Sequence, residues 1–179
     1  MANVPDALAP SAIVPNSLEA LAAEVLDLAV SRGFNIVVAE SLTGGLLAST
    51  IVSVPGASRA FCGGVVAYSN QAKQNLLGVA AVDLAEYGAV SSQVAGAMAA
   101  GVRHGFPSDG LISASTTGVA GPDSQDGQPV GRVFIGVCGT DGADTRSFDF
   151  EGDRQQIREQ AVFAALGLLR DEIQRHAGL

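Results

Sequence analysis

What most constrains the fold of this chain is a repeated order of events. A short β-branched run passes through a glycine- or hydroxyl-rich turn into a stretch with helical spacing. Asn35 to Ala39 is such a run, and Glu40, Ser41, Leu42, Thr43, Gly44 and Gly45 lead from it into a helical pattern. That pattern starts at Gly44, continues to Ser53 and is ended by Pro55 and Gly56. Gly64 to Tyr68 reads as the next strand and Asn70 to Leu77 as a short helix stopped by Gly78, with a further helical turn from Asp83 to Tyr87. Ser91 can cap an alanine-rich helix to about Arg103, after which Gly110 breaks the chain and Leu111 to Ser115 supplies a third strand. Before the first strand, Ser17 can cap a helix with Leu18, Leu21, Ala22, Val25, Leu28 and Ala29 on one face, ending at Gly33. Arg132 to Cys138 and Thr145 to Phe150 read as a hairpin around Gly139 to Asp144. A last helix spans about Asp153 to His176, turning Ile157, Ala161, Ala164, Ala165, Leu168 and Leu169 inward. Strands that alternate with helices and then close in a hairpin predict an α/β fold, a three-layer α/β/α sandwich on a mostly parallel mixed sheet with an antiparallel member.

The length of 179 residues, 47% of them hydrophobic, suits a single domain, expected over 17–179. Pro5, Pro10 and Pro15 punctuate residues 1 to 16, which show no apolar periodicity and are expected to form a flexible tail or docking arm. They lack the basic start and apolar centre of a secretory signal, and no run of about 18 apolar residues could span a bilayer. A net charge of -8 without a basic stripe argues against nucleic acid or an anionic membrane as partner. Cys62 and Cys138 lie far apart, and with two histidines no metal-ligand spacing can be assembled, so no metal is expected and a reducing cytoplasm fits best. Neither a GxxxxGK[ST] loop nor a GxGxxG fingerprint occurs, which removes support for ordinary triphosphate hydrolysis and dinucleotide redox chemistry.

Lys73 is the only lysine against nine arginines. Arginine cannot give up its proton, so the lone lysine is the deprotonatable amine among these cations, although a composition biased toward arginine would also leave one survivor. In a sheet built by right-handed crossovers, the segments after the strands gather along one edge, where α/β proteins bind ligands. If the strands before Ser41 and before Lys73 are neighbours about 4.8 Å apart, the serine hydroxyl and the lysine amine come within reach of one another. A lysine whose pKa is lowered by desolvation can serve as base toward a serine. His104 and His176 are poorly placed for that task. The turn at Gly44 and Gly45 exposes backbone amides that could meet an anion, with Ser41 or Thr43 bonding the same group, or it is simply a helix cap. Tyr68 and Asn70 could line a site, or serve as core and cap. Thr117 to Gly131 is too long for a plain connector, and Thr117 and Gly118 at its start could hold a sugar, a phosphate or an oxyanion. Arg154 could pin a phosphate, or form a surface ion pair.

Taken together, AESLTGG, GGVVAYSNQAKQNLLGV, YGAVSSQVA, TTGVAGPDSQDGQPVGRVFIGV and EGDR resemble the C-terminal domain family of the competence/damage-inducible protein CinA, over roughly residues 17 to 175. Enzymes of that family are nicotinamide-nucleotide amidohydrolases, or NMN deamidases, which convert nicotinamide mononucleotide to nicotinic acid mononucleotide and ammonia. The resemblance implies a self-associating three-layer domain with no cofactor, and carries Ser41, Tyr68 and Lys73 over as catalytic positions. Glu40, Thr43, Gly44, Gly45, Asn70, Thr117, Gly118 and Arg154 then correspond to substrate-binding positions. Where the family often reads ESCTGG this chain has Leu42 in place of the cysteine, which argues against a catalytic thiol there. The expected mechanism has Lys73 as base toward Ser41, with direct attack by water as the other route. Backbone amides near Thr43, Gly44 or Gly118 would hold the oxyanion. A nucleotide-sensing module that kept the pocket and lost turnover is the alternative from another class.

Overall fold

Five strands form one mixed sheet in the order β2-β1-β3-β4-β5, in a computed structural model that describes residues 17–106 and 108–176. The tail expected over residues 1 to 16 lies outside the described residues. In chain order the elements are α1 (Leu18–Arg32), β1 (Asn35–Glu40), α2 (Leu46–Val52), β2 (Phe61–Val66), α3 (Asn70–Leu77), α4 (Ala81–Tyr87), α5 (Ser92–Val102), β3 (Leu111–Gly118), β4 (Arg132–Gly139), β5 (Gly142–Asp149) and α6 (Arg154–Arg175). Strands β2, β1 and β3 run parallel, while β4 pairs antiparallel with β3 and with β5. The three-layer sandwich and mostly parallel sheet expected from the sequence are therefore what the chain adopts.

The burial of each strand explains its place. Ile36, Val37, Val38 and Ala39 of β1 are all inaccessible to solvent, as a central strand covered on both faces must be. Edge strand β5 leaves most of its residues exposed, and edge strand β2 alternates between half-buried and exposed positions. Residues Ile36 and Val38 face Leu21, Val25, Leu47, Leu166 and Leu169, so α1, α2 and α6 cover one side. Val37 and Ala39 face Leu77, Val94 and Met98, so α3, α4 and α5 cover the other. Burying a leucine- or isoleucine-sized side chain contributes about 1.5–3 kcal/mol, and this double layer is the main source of cohesion.

Local signals set the helix ends. The Ser17, Ser69 and Ser91 side chains accept from Ala20, Ala72 and Val94 amides, and Asp153 opens α6 with a reciprocal capping box to Gln156. The hydroxyls of Ser113, Ser115 and Thr117 all point to one face of β3 by the two-residue period of a strand, and donate to the carbonyls of Ala99, Ala95 and Ala89 at 2.6, 2.6 and 2.7 Å. They tie α5 and the segment before it to the sheet. Gly136 permits that close approach, because a Cβ there would stand 2.5 Å from the Ala95 oxygen.

Several boundaries differ from the expected ones. β2 starts at Phe61 and ends at Val66 instead of running from Gly64 to Tyr68, since Gly63 to Val66 pair with Val37 to Glu40. β3 continues to Gly118 because Thr116, Thr117 and Gly118 find partners in β4. The hairpin is tighter than Gly139 to Asp144: Gly139 pairs with Gly142 across Thr140 and Asp141.

Candidate active site

After β1 the chain leaves toward the α2 face, and after its neighbour β2 it leaves toward the α3 face. Adjacent connections that depart to opposite sides open a crevice at the carboxyl ends of the strands. Ser41 lies at the end of β1, where its amide donates to the Thr116 oxygen at 2.9 Å and extends the pairing with β3. Gly44 (φ 59°) and Gly45 (φ 95°) then turn the backbone through the left-handed region into α2. Glu40 stabilises this turn: its carboxylate accepts from the amides of Gly45 at 2.9 Å, Leu47 at 3.0 Å and Ala48 at 2.9 Å. A buried carboxylate at the positive end of a helix is well compensated by three such donors. Arg158 of α6 closes the turn from outside, donating to the carbonyls of Leu42 and Thr43 at 3.2 and 2.6 Å.

Across the crevice, Lys73 is the fourth residue of α3 and points inward beside Leu77, one turn further along. It is 2% exposed, and its Nζ donates to Ser41 Oγ at 2.9 Å and to the Ala67 carbonyl at 3.1 Å. Burial pushes the amine below its usual lysine range because the ammonium is the form that loses hydration; the Asp126 carboxylate opposes this by favouring the ammonium. The chain thus holds a serine hydroxyl against an amine whose burial, on balance, lowers its pKa.

Ser41, Tyr68, Lys73, Thr117, Gly118 and Arg154 line one cleft that encloses about 500 Å³, part of it open to solvent. Arg154 spans its mouth, donating to Tyr68 Oη at 2.9 Å and to the Gly121 carbonyl at 2.7 Å. The phenol oxygen accepts, so the phenol's own proton remains free to be donated. Five of the positions singled out in the sequence are placed elsewhere. Glu40 is turned to the α2 amides, and Thr43 is fully buried with its hydroxyl 2.7 Å from that of Thr116. Gly44 and Gly45 shape the turn, and their amides are taken by the Ser41 carbonyl and by Glu40. Asn70 is exposed on the first turn of α3. The Leu42 and Thr43 amides have no acceptor among the described residues.

Two contributors escaped the sequence reading. Arg158 gave no signal beyond being one arginine on a helix. Asp126 did have one: Asp126-Gly127 is a favoured two-residue hairpin turn, and both residues adopt positive φ (52° and 73°) between Gln125 and Gln128, whose backbones bond reciprocally. Among the described residues no group of three His, Cys, Asp or Glu side chains could hold a metal ion, and no helix is long and apolar enough to cross a membrane.

Fold and site together define a three-layer α/β protein with a serine and a buried lysine paired at the carboxyl edge of its parallel strands. The model of the CinA C-terminal domain family matches residues 18–173, and the chain belongs to that family. It is 50% identical over 152 residues to a CinA-like protein of Frankia casuarinae, covering 85% of this chain and 35% of that one. To a putative competence-damage inducible protein of Desulforamulus reducens it is 46% identical over 148 residues, covering 83% and 36%. The chain therefore spans about a third of the length of these relatives. Among solved structures, the competence damage-inducible protein A (ComA) of Klebsiella pneumoniae superposes with a TM-score of 0.84 at 32% identity, over 89% of this chain and 98% of that one. A CinA superfamily protein of Escherichia coli gives 0.81 at 31% identity, over 86% and 90%.

Proposed function

We propose that this domain hydrolyses the carboxamide of nicotinamide mononucleotide to nicotinic acid mononucleotide and ammonia, with Ser41 as nucleophile and Lys73 as its base. The observation that carries the reading is the 2.9 Å contact between a buried, pKa-lowered amine and a serine hydroxyl in a cleft. Neutral Lys73 takes the proton from Ser41 Oγ as the oxygen attacks the carboxamide carbon, forming a tetrahedral intermediate. The protonated amine, directly or through the Tyr68 phenol, returns a proton to the departing nitrogen, which leaves as ammonia from an ester on Ser41. Water deprotonated by Lys73 then attacks that ester, and the amine returns the proton to Ser41 Oγ as the acid is released. Contact with Ser41 favours this route over water activated by Lys73 alone, because the amine already faces the hydroxyl. The oxyanion must be met by amides that donate nowhere else, which favours Leu42 and Thr43 over Gly44; losing one such donor typically costs about 100-fold to 1,000-fold in rate. Arg154 is the cleft's cation for the phosphate, exchanging its contacts to Tyr68 and Gly121 for bidentate ones.

The test is ammonia release from nicotinamide mononucleotide by the purified chain and by Ser41→Ala. Turnover is expected in the first and is lost in the second, and a wild-type ester on Ser41 should be trapped in single-turnover samples by mass spectrometry. Tight binding of the mononucleotide with no ammonia over hours would overturn the reading in favour of a sensing module.

A further inference from the structure

We infer that Asp126, at the tip of the β3–β4 loop, is a positioning residue of this site: its carboxylate pins the α4–α5 linker, whose Ala89 and Val90 line the cleft with Ser41 and Lys73. The inference rests on the reaction proposed above. Asp126 Oδ2 accepts from the Ala89 amide at 2.9 Å, while Thr117 Oγ1 donates to the Ala89 carbonyl at 2.7 Å. Ala89 is thus gripped on both sides of its backbone, and Ala89 and Val90 line the cleft. The arrangement is built by local chemistry. The Asp126-Gly127 turn needs positive φ at both positions, and Asp is one of the few side-chain-bearing residues that tolerate it. Opposite the tip stands Gly88 (φ 74°), where a Cβ would lie 3.0 Å from Asp126 Cβ and 3.3 Å from its Oδ2, so the bare glycine clears the path. Ser91 fixes the other end of the linker, donating to the Gly88 carbonyl at 3.0 Å while capping α5.

The charge has a chemical consequence beyond tethering. Among the described residues, the other charged or titratable side chains that line the cleft with Lys73 are Tyr68, Asp123 and Arg154, and the guanidinium of Arg154 is engaged by Tyr68 and Gly121. Glu40, next to Ser41, is committed to three amides on the α2 side. Asp126 is the carboxylate that opposes the burial of Lys73 by favouring its ammonium. Its removal should therefore make the neutral base available at lower pH.

Because Lys73 is the only lysine, a chain labelled with 13C- and 15N-lysine gives one lysine side-chain signal, whose titration needs no turnover. In Asp126→Asn, which accepts from Ala89 through its amide oxygen and tolerates the same turn, the titration midpoint should fall below that of wild type. The acid limb of kcat/KM for ammonia release should follow. On that limb, where activity rises with pH, the variant should be more active than wild type relative to its own plateau. Asp126→Ala, which loses both tether and charge, should add a uniform fall in activity. Asp126→Ala with the kcat and KM of wild type, or Asp126→Asn no more active than Asp126→Ala, overturns the inference, and an unchanged midpoint in Asp126→Asn removes the charge from it. Absence of ammonia from wild type would instead refute the proposed reaction, while the titration would still read the effect of Asp126 on Lys73. A shifted midpoint with an unmoved acid limb would remove Lys73 as the base, and with it the role assigned to Asp126.

Discussion

Replacing Lys73 with methionine separates the chemistry of the buried amine from its packing, because Met fills nearly the same space with an unbranched apolar side chain. The amine contributes two hydrogen bonds, to Ser41 Oγ and to Ala67 O, each of a kind that adds about 0.5–1.5 kcal/mol net. Against them stands the desolvation of an amine that is 2% exposed, about 1–3 kcal/mol on mutational scales. The two nearly cancel, so Lys73→Met should lie within about 2 kcal/mol of wild type near pH 7. The sign of the pH dependence is sharper. The folded-state pKa lies below the ordinary lysine value of about 10.5, so between the two the unfolded chain binds more protons and wild-type stability rises with pH. The slope reaches at most about 1.4 kcal/mol per pH unit, and it levels off above the unfolded value. Lys73→Met lacks this gain, so its stability relative to wild type should decline as pH rises. Urea unfolding of both proteins between pH 6 and 10.5 measures the difference, with the m-value checked for constancy. Ammonia release should meanwhile fall by about 100-fold to 10,000-fold, the usual worth of a general base. A stability difference that does not change with pH would refute the lowered pKa, and near-normal turnover would refute the base.

Two further outcomes follow from the geometry. Tyr68→Phe keeps the exposed ring and removes the oxygen that accepts from Arg154, so stability should change by less than about 0.5 kcal/mol. If the phenol relays the proton, kcat falls with little change in KM, whereas a rise in KM at constant kcat would make it a binding group. Glu40→Gln leaves the α2 amides with a weaker and partly repulsive partner and should cost about 2–4 kcal/mol, read as a lower urea midpoint at constant m. A midpoint within error of wild type would refute the capping role.

The legible parts of the sequence were those with local causes. α3 spans Asn70–Leu77, the range expected, because Ser69 caps it and Gly78 closes it in the left-handed region. The β2 boundary was misplaced because Gly63 and Gly64 interrupt the strand signal after Phe61 and Cys62, and the segment becomes a strand by pairing with β1. Roles within the motif AESLTGG were not legible either. Nothing in it distinguishes a carboxylate aimed at a ligand from one aimed at helix amides, and which way Glu40 turns depends on where α2 is packed. The same holds for Thr43, whose partner Thr116 is 73 residues away.

What the sequence determined by itself was the alternation of strands and helices, the edge at which their connections gather, and the presence of one deprotonatable amine and a candidate serine among those connections. These depend on residue periodicity, capping and composition, which act over a few residues. Tertiary structure decided that β1 and β2 are neighbours, that Lys73 is buried, and that Asp126 reaches Ala89 across Gly88. Burial and long-range contact follow from the packing of the whole chain, and they turn an ordinary lysine into an amine with its proton loosened.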